Sequence, residues 1–168
     1  MTRAAEPRER FVRLAAALRQ QREQITRIVA EAQAALADFT EKEPPLLELR
    51  GIGAVLHDFY TGIEHLFEKI APELNGGLPA GRSWHRELLE NMTLDLPGVR
   101  PPVLGSETVH ALEEFLRFRH LFRNLYGFEL QWDRIRSLLE RVPATWAAVA
   151  ADLERFIAFL DVAGESLP

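Results

Sequence analysis

The sequence predicts an all-α fold, an antiparallel helical bundle of four long helices and one short one. Three observations lead there. Apolar residues recur at steps of three, four and seven along nearly the whole chain. Runs rich in proline and glycine cut that pattern into segments of helical length. No segment reads as a strand, and no internal repeat is visible.

The first helix is expected over about residues 7–39. Phe11, Leu14, Leu18, Ile25, Val29, Leu36 and Phe39 lay one apolar stripe along it. Pro7 suits the first turn, where no backbone donor is needed. Glu43-Pro44-Pro45 then breaks the chain and opens a second helix over about 45–71. Its buried face is Leu49, Ile52, Val55, Leu56, Phe59, Ile63, Leu66, Phe67 and Ile70. Gly51, Gly53 and Gly62 each cost that helix about 1 kcal/mol against alanine. A glycine inside a helix often marks close approach of another backbone, and tight packing is expected at Gly62.

Pro72 to Gly81 is a breaker run, with Asn75-Gly76-Gly77 and Pro79. Ser83 is expected to cap a short helix carrying Trp84, Leu88, Leu89 and Met92. Pro97, Gly98, Pro101, Pro102 and Gly105 make residues 95–105 a loop. Ser106 and Glu107 open a fourth helix, about 106–126, whose buried side is Phe115, Phe118, Phe122 and Leu125. After Gly127 a last helical region runs over about 131–162, with Trp132, Ile135, Leu139, Trp146, Leu153 and Phe156 among its core residues. Pro143 is expected to kink or break it.

A chain of 168 residues suits one domain, here taken as 1–168. With 47 % apolar residues, global disorder is excluded. The formal charge of −5 does not announce a nucleic-acid binder. The absence of cysteine excludes a disulfide scaffold, a thiolate metal site and a cysteine nucleophile. No stretch reaches the roughly 18 apolar residues of a membrane helix. Met1 to Arg13 is charged throughout and lacks the apolar core of a secretion signal, so a cytoplasmic protein without membrane contact is expected.

The densest polar cluster within a predicted helix is Arg117, Arg119, His120, Arg123, Asn124 and Tyr126. At 100° per residue, with Arg119 at the origin, these six span about −20° to 160°. Phe115, Phe118, Phe122 and Leu125 fall between about −40° and −120°, which makes the helix two-faced. Three guanidinium groups on one side repel one another unless an anion or carboxylates lie between them. Arginine grips phosphate oxygens through paired donors. A histidine beside it could move a proton near neutral pH. The plainer alternative is a solvated or salt-bridged basic face. Local charge does not decide between them: residues 117–136 hold five Arg against Glu129 and Asp133, while residues 8–27 hold six Arg against Glu9 and Glu23.

Metal sites read poorly, and neither metal nor cofactor is expected. His110 and Glu114 lie one turn apart, but a carboxylate-bridged site in a bundle needs several such contributions. His57 and His65, about two turns apart, read as ordinary interface or surface histidines. Gly76-Gly77 lacks the Lys-Ser or Lys-Thr of a phosphate-cradling loop. Ser83 and Ser106 read as helix caps rather than nucleophiles.

Three blocks carry a family resemblance. They are Asp58-Phe59-Tyr60-Thr61-Gly62-Ile63-Glu64-His65-Leu66-Phe67-Glu68-Lys69-Ile70-Ala71, then Gly77-Leu78-Pro79-Ala80-Gly81-Arg82-Ser83-Trp84-His85-Arg86-Glu87-Leu88-Leu89, then Phe118-Arg119-His120-Leu121-Phe122-Arg123-Asn124-Leu125-Tyr126. Together, over about residues 44–162, they resemble the HepT-like branch of the HEPN superfamily. The resemblance implies an all-α bundle that forms a homodimer and, in many HEPN toxins, a metal-independent ribonuclease. The motif there is an Arg, four to six residues, then a His, with a Tyr two positions later in HepT. Arg119 matches the Arg, His120 the polar residue that follows it, and Tyr126 the Tyr. Asn124 stands where the His is expected, and an amide cannot titrate.

The resemblance further implies attack by the ribose 2′-hydroxyl, a cyclic phosphate product, and Arg119 stabilising the developing charge on phosphate. It also implies a partner, a small MNT-type nucleotidyltransferase antitoxin that in some pairs adds AMP to the motif tyrosine, here Tyr126. Three functions follow from these residues. The first is a HepT-like ribonuclease toxin, with Arg119, His120, Asn124 and Tyr126 at the catalytic centre and Arg117, Arg119 and Arg123 holding RNA. The second is a non-catalytic HEPN module that binds RNA, a nucleotide or the nucleotidyltransferase. The third is a dimerisation bundle whose arginines are simply salt-bridged.

Overall fold

The structure, a computed structural model, describes residues 7–124 and 129–166. Five helices follow in order: α1 (Pro7–Asp38), α2 (Leu46–Leu74), α3 (Trp84–Asn91), α4 (Ser106–Phe122) and α5 (Trp132–Glu165). The architecture is the all-α one expected, four long helices and one short. Among the described residues there is no strand, only an isolated bridge between Leu96 and Arg100. Nor is any described helix long and apolar enough to cross a membrane.

Cross-helix contacts fix the directions. Arg10 reaches Glu73 and Gln21 reaches the Gly62 carbonyl, so α1 and α2 are antiparallel. Arg19 pairs with Asp161 and Phe39 packs edge-on to Trp132, so α5 also runs against α1. Gly53 lies under Phe122 and Thr61 beside Arg119, which sets α4 antiparallel to α2. Thr108 bonds Asp152 and Glu114 pairs with Arg141 across α4 and α5.

The apolar stripes of the sequence are the core. Leu14, Leu18, Ile25 and Val29 of α1 are buried, and so are all nine expected residues of α2 except the half-buried Val55. Tight packing does occur at Gly62, against side chains rather than a backbone: an added Cβ would stand 3.0 Å from Ile25 Cγ1. The same device operates at Gly53, whose Cβ would come within 2.7 Å of the Phe122 ring. Gly51 has open space around it.

Helix ends and breaks differ from the sequence reading at several points, and α4 stops at Phe122, with its C-cap at Arg123, short of the expected 126. α2 runs on through the exposed Pro72 to Leu74, and the Asn75 and Gly77 amides then close it on the Ala71 carbonyl. α5 passes through Pro143 unbroken. Neither serine caps by its side chain: Ser83 occupies the N-cap of α3 without such a bond, and Ser106 lies inside α4, behind an N-cap at Gly105. The first turn of α4 is satisfied from outside instead. Asp152 of α5 accepts hydrogen bonds from the Gly105 amide (2.9 Å) and the Thr108 hydroxyl (2.7 Å). A carboxylate at a helix N-terminus meets both the free amides and the positive end of the dipole.

The loop between α3 and α4 is organised by the buried Arg100. Its guanidinium donates to Asn75 Oδ1 and to the carbonyls of Asn91, Leu94 and Pro101. Burial pulls its pKa below the ordinary guanidinium value, with nearby Asp95 opposing the shift. This staple fixes the path of the chain from α3 into α4, so that α3 lies against both α2 and α4.

Candidate functional site: an arginine, a histidine and a buried glutamate

The buried residues of α4 are Thr108, Val109, Leu112, Phe115 and Arg119. At 100° per residue, Thr108, Leu112 and Phe115 lie within about 40° of Arg119. The buried face is therefore centred on Arg119 itself. Phe118 and Phe122 are half-buried at its margin, stacked with ring centroids 5.6 Å apart. The five described members of the polar cluster, which the helical wheel puts on one side away from the aromatic residues, do not share one environment. Arg119 is 9 % exposed, whereas Arg117, His120, Arg123 and Asn124 are exposed.

Glu64 of α2 holds Arg119 in the seam. The Glu64 side chain is 2 % exposed, and its Oε1 lies 3.4 Å from Arg119 Nη2. Arg119 Nε donates to Thr61 Oγ1 at 3.3 Å, one helical turn earlier on α2. His85 of α3 completes the cluster. Its Nδ1 lies 2.8 Å and 2.5 Å from the two Glu64 oxygens, and its Nε2 lies 3.4 Å from Arg119 Nη1. A buried carboxylate on Nδ1 makes that nitrogen the donor, so Nε2 of the neutral ring carries the lone pair that faces the guanidinium. Trp84 lies tilted against the His85 ring, with centroids 3.6 Å apart.

Tyr60 lies one turn before Glu64 and is fully buried, and its hydroxyl has no hydrogen-bond partner among the described residues. Burial raises its pKa far above the usual phenol value. The Glu64 charge adds to the shift and Arg119 opposes it, so the phenol stays protonated.

The cluster opens on a groove of about 590 Å³ between α3 and α4, lined by Arg82, His85, Arg86, Arg117, Arg119 and His120, with Glu90 and Glu113 on the same walls. Arg86 pairs with Glu90 at 3.4 Å. Arg82, Arg117 and Arg123 have no ion-pair partner among the described residues. Of the sequence-predicted residues, Arg117, Arg119 and His120 thus meet at one groove, while Arg123 and Asn124 do not line it. Asn124 Nδ2 donates to the His120 carbonyl at 3.0 Å, closing the end of α4. Tyr126 lies outside the described residues, as does Leu125.

His57 and His65 sit as the interface and surface residues they read as. His57 is half-buried against Phe122, with ring centroids 5.7 Å apart, and His65 is exposed 3.8 Å from Glu68. His110 faces Glu113 rather than Glu114, which is engaged by Arg141. Among the described residues no three His, Asp or Glu side chains gather as a metal site would need.

Sequence pattern assigns no role to Glu64, Thr61 or His85, although the resemblance blocks contain all three. A signal for Glu64 exists: it is a carboxylate set among Tyr60, Ile63 and Phe67, on the stripe that must be buried. His85 carries no such signal, because its importance lies in a contact with a residue of another helix.

The profile of a family described as HepT-like protein matches residues 51–160. The chain belongs to the HepT-like family. The matched span of this HepT-like protein covers Glu64, His85 and Arg119 and leaves α1 outside it. No curated protein and no solved structure matches the chain.

Proposed function

We propose that this HepT-like protein is a toxin of the HEPN type, a metal-independent endoribonuclease that works as a homodimer and is neutralised by a nucleotidyltransferase antitoxin. The observation that carries the reading is the position of the motif arginine. Arg119 sits at the wall of a groove where Arg82 and Arg117 have no carboxylate of their own among the described residues. Such guanidinium groups fit a phosphodiester, gripping its oxygens and countering the charge that grows during transfer. The 2′-hydroxyl attacks the adjacent phosphorus, the bond to the 5′-oxygen breaks, and a cyclic phosphate remains. AMP added to Tyr126 would put a bulky anion within the Arg119 motif and oppose the binding of RNA.

The purified chain, incubated with total cellular RNA and excess chelator, is expected to leave 2′,3′-cyclic phosphate ends, and co-purified nucleotidyltransferase is expected to suppress them. RNA left intact by the chain alone across pH 5 to 9 rejects the ribonuclease.

A second reading, a binding module that does not cut, is favoured by one observation. Asn124 replaces the motif histidine and spends its amide on the His120 carbonyl. Cleavage that appears only in Asn124→His identifies the native chain as the binding form.

A further inference from the structure

We propose that His85, held by Glu64, is the group that accepts the 2′-hydroxyl proton in this protein. The inference rests on the ribonuclease reading and supplies what Asn124 withholds. A transesterification of RNA needs a proton acceptor beside the cation that grips the phosphate, because the attacking hydroxyl and the phosphorus it attacks belong to neighbouring positions of one ribose. His85 Nε2 lies 3.4 Å from Arg119 Nη1, so acceptor and phosphate clamp are adjacent. The His85 side chain is 21 % exposed and lines the groove, and its Nε2 lone pair is released to accept a proton when Arg119 turns from it to the phosphate.

Glu64 positions the ring. Its carboxylate contacts Nδ1 with both oxygens, fixing the tautomer whose Nε2 accepts, and its negative charge lies against the ring that gains the proton. The step balances: the 2′-oxygen forms a bond to phosphorus as its proton passes to Nε2, the bond to the 5′-oxygen breaks, and that oxygen takes a proton from water. The hydroxide left behind is neutralised by the proton that His85 returns to solvent.

Other titratable and charged groups lie beside Glu64 or line the groove. Tyr60 and Glu64 come from α2, Arg82, Arg86 and Glu90 flank the ring on the α3 side, and Glu113, Arg117 and Arg119 come from α4. Of the groove residues, His120 is the other imidazole, and it is exposed on α4. His120→Ala therefore serves as the control for any pH effect.

Cleavage of total cellular RNA by the full chain, followed through its cyclic phosphate ends from pH 5 to 9, tests the assignment. His85→Gln keeps an N–H donor for Glu64 and removes the titrating acceptor. It should lower the rate about 100-fold or more and abolish the rise of rate with pH, while His120→Ala keeps that rise. Added imidazole should restore part of the activity of His85→Ala, which no purely structural role would permit. Glu64→Gln should lower the rate with the rise of rate with pH shifted rather than removed. Native-like cleavage and an unchanged pH profile in folded His85→Gln overturn the role of His85 and leave the ribonuclease intact. A native chain that cuts no RNA overturns both.

Discussion

Taking a carboxylate out of water costs several kcal/mol, and Glu64 offsets that only through Arg119, His85 and their hydrogen bonds. Breaking one partner of such a pair leaves an uncompensated charge, which costs about 3–5 kcal/mol. Arg119→Ala is therefore expected to lower the unfolding free energy by about 3 kcal/mol, measured by urea denaturation, besides any loss of activity. Adding Glu64→Gln to that variant should recover much of the loss, because the stranded charge is gone. Independent, additive losses in the double variant would show that the two residues are not coupled. This dual role explains why the site is only partly legible in the sequence. Arg119 is named by its motif, but its face of α4 is misassigned when the wheel is anchored on the aromatic residues. Phe118 and Phe122 are bulky yet only half-buried, while the small Thr108 and Leu112 mark the true centre of the seam. Glu64 and His85 meet only because α2 and α3 cross, a contact that no local spacing encodes.

Helix positions and polarity follow from local pattern, which is why the five elements are legible to within a few residues. Apolar spacing reports a buried stripe whatever lies opposite it. Helix ends are less legible where the satisfying group comes from elsewhere. Asp152 caps α4 from α5, so the local serine signal at Ser106 misleads. Glycine shows the same division. Gly51 and Gly62 carry the same propensity cost on α2, yet only Gly62 faces a buried neighbour, Ile25. Gly51→Ala should stabilise the protein by about 1 kcal/mol through helix propensity alone. Gly62→Ala should destabilise it by about 1–2 kcal/mol, since Ile25 is fully buried and overpacking outweighs the gain. Thermal unfolding of the two variants checks the contrast, and a Gly62→Ala protein more stable than the parent would refute the packing argument.

At the scale of the whole molecule, the net charge of −5 and an RNA substrate are compatible only if positive charge is concentrated. Helix α1 is as basic in sequence as the groove region, but its charge is partly tied down. Arg10 pairs with Glu73, Arg13 with Glu9 and Arg19 with Asp161, and the helix packs along α5 and α2. Arg82 and Arg117 stand free of carboxylates among the described residues, on the two walls of one groove. Binding to single-stranded RNA should therefore weaken with salt, and each phosphate neutralised contributes a slope of about −0.7 in log affinity against log salt. Arg82→Ala and Arg117→Ala should each reduce the steepness by about 0.7. Arg27→Ala, on the exposed face of α1, should leave it unchanged. Fluorescence anisotropy with a labelled oligoribonucleotide across 50–300 mM salt reads the slopes directly. A slope that responds to Arg27 and ignores Arg82 and Arg117 would move the RNA path off the groove and onto α1, taking with it the assignment of Arg119 as the phosphate clamp.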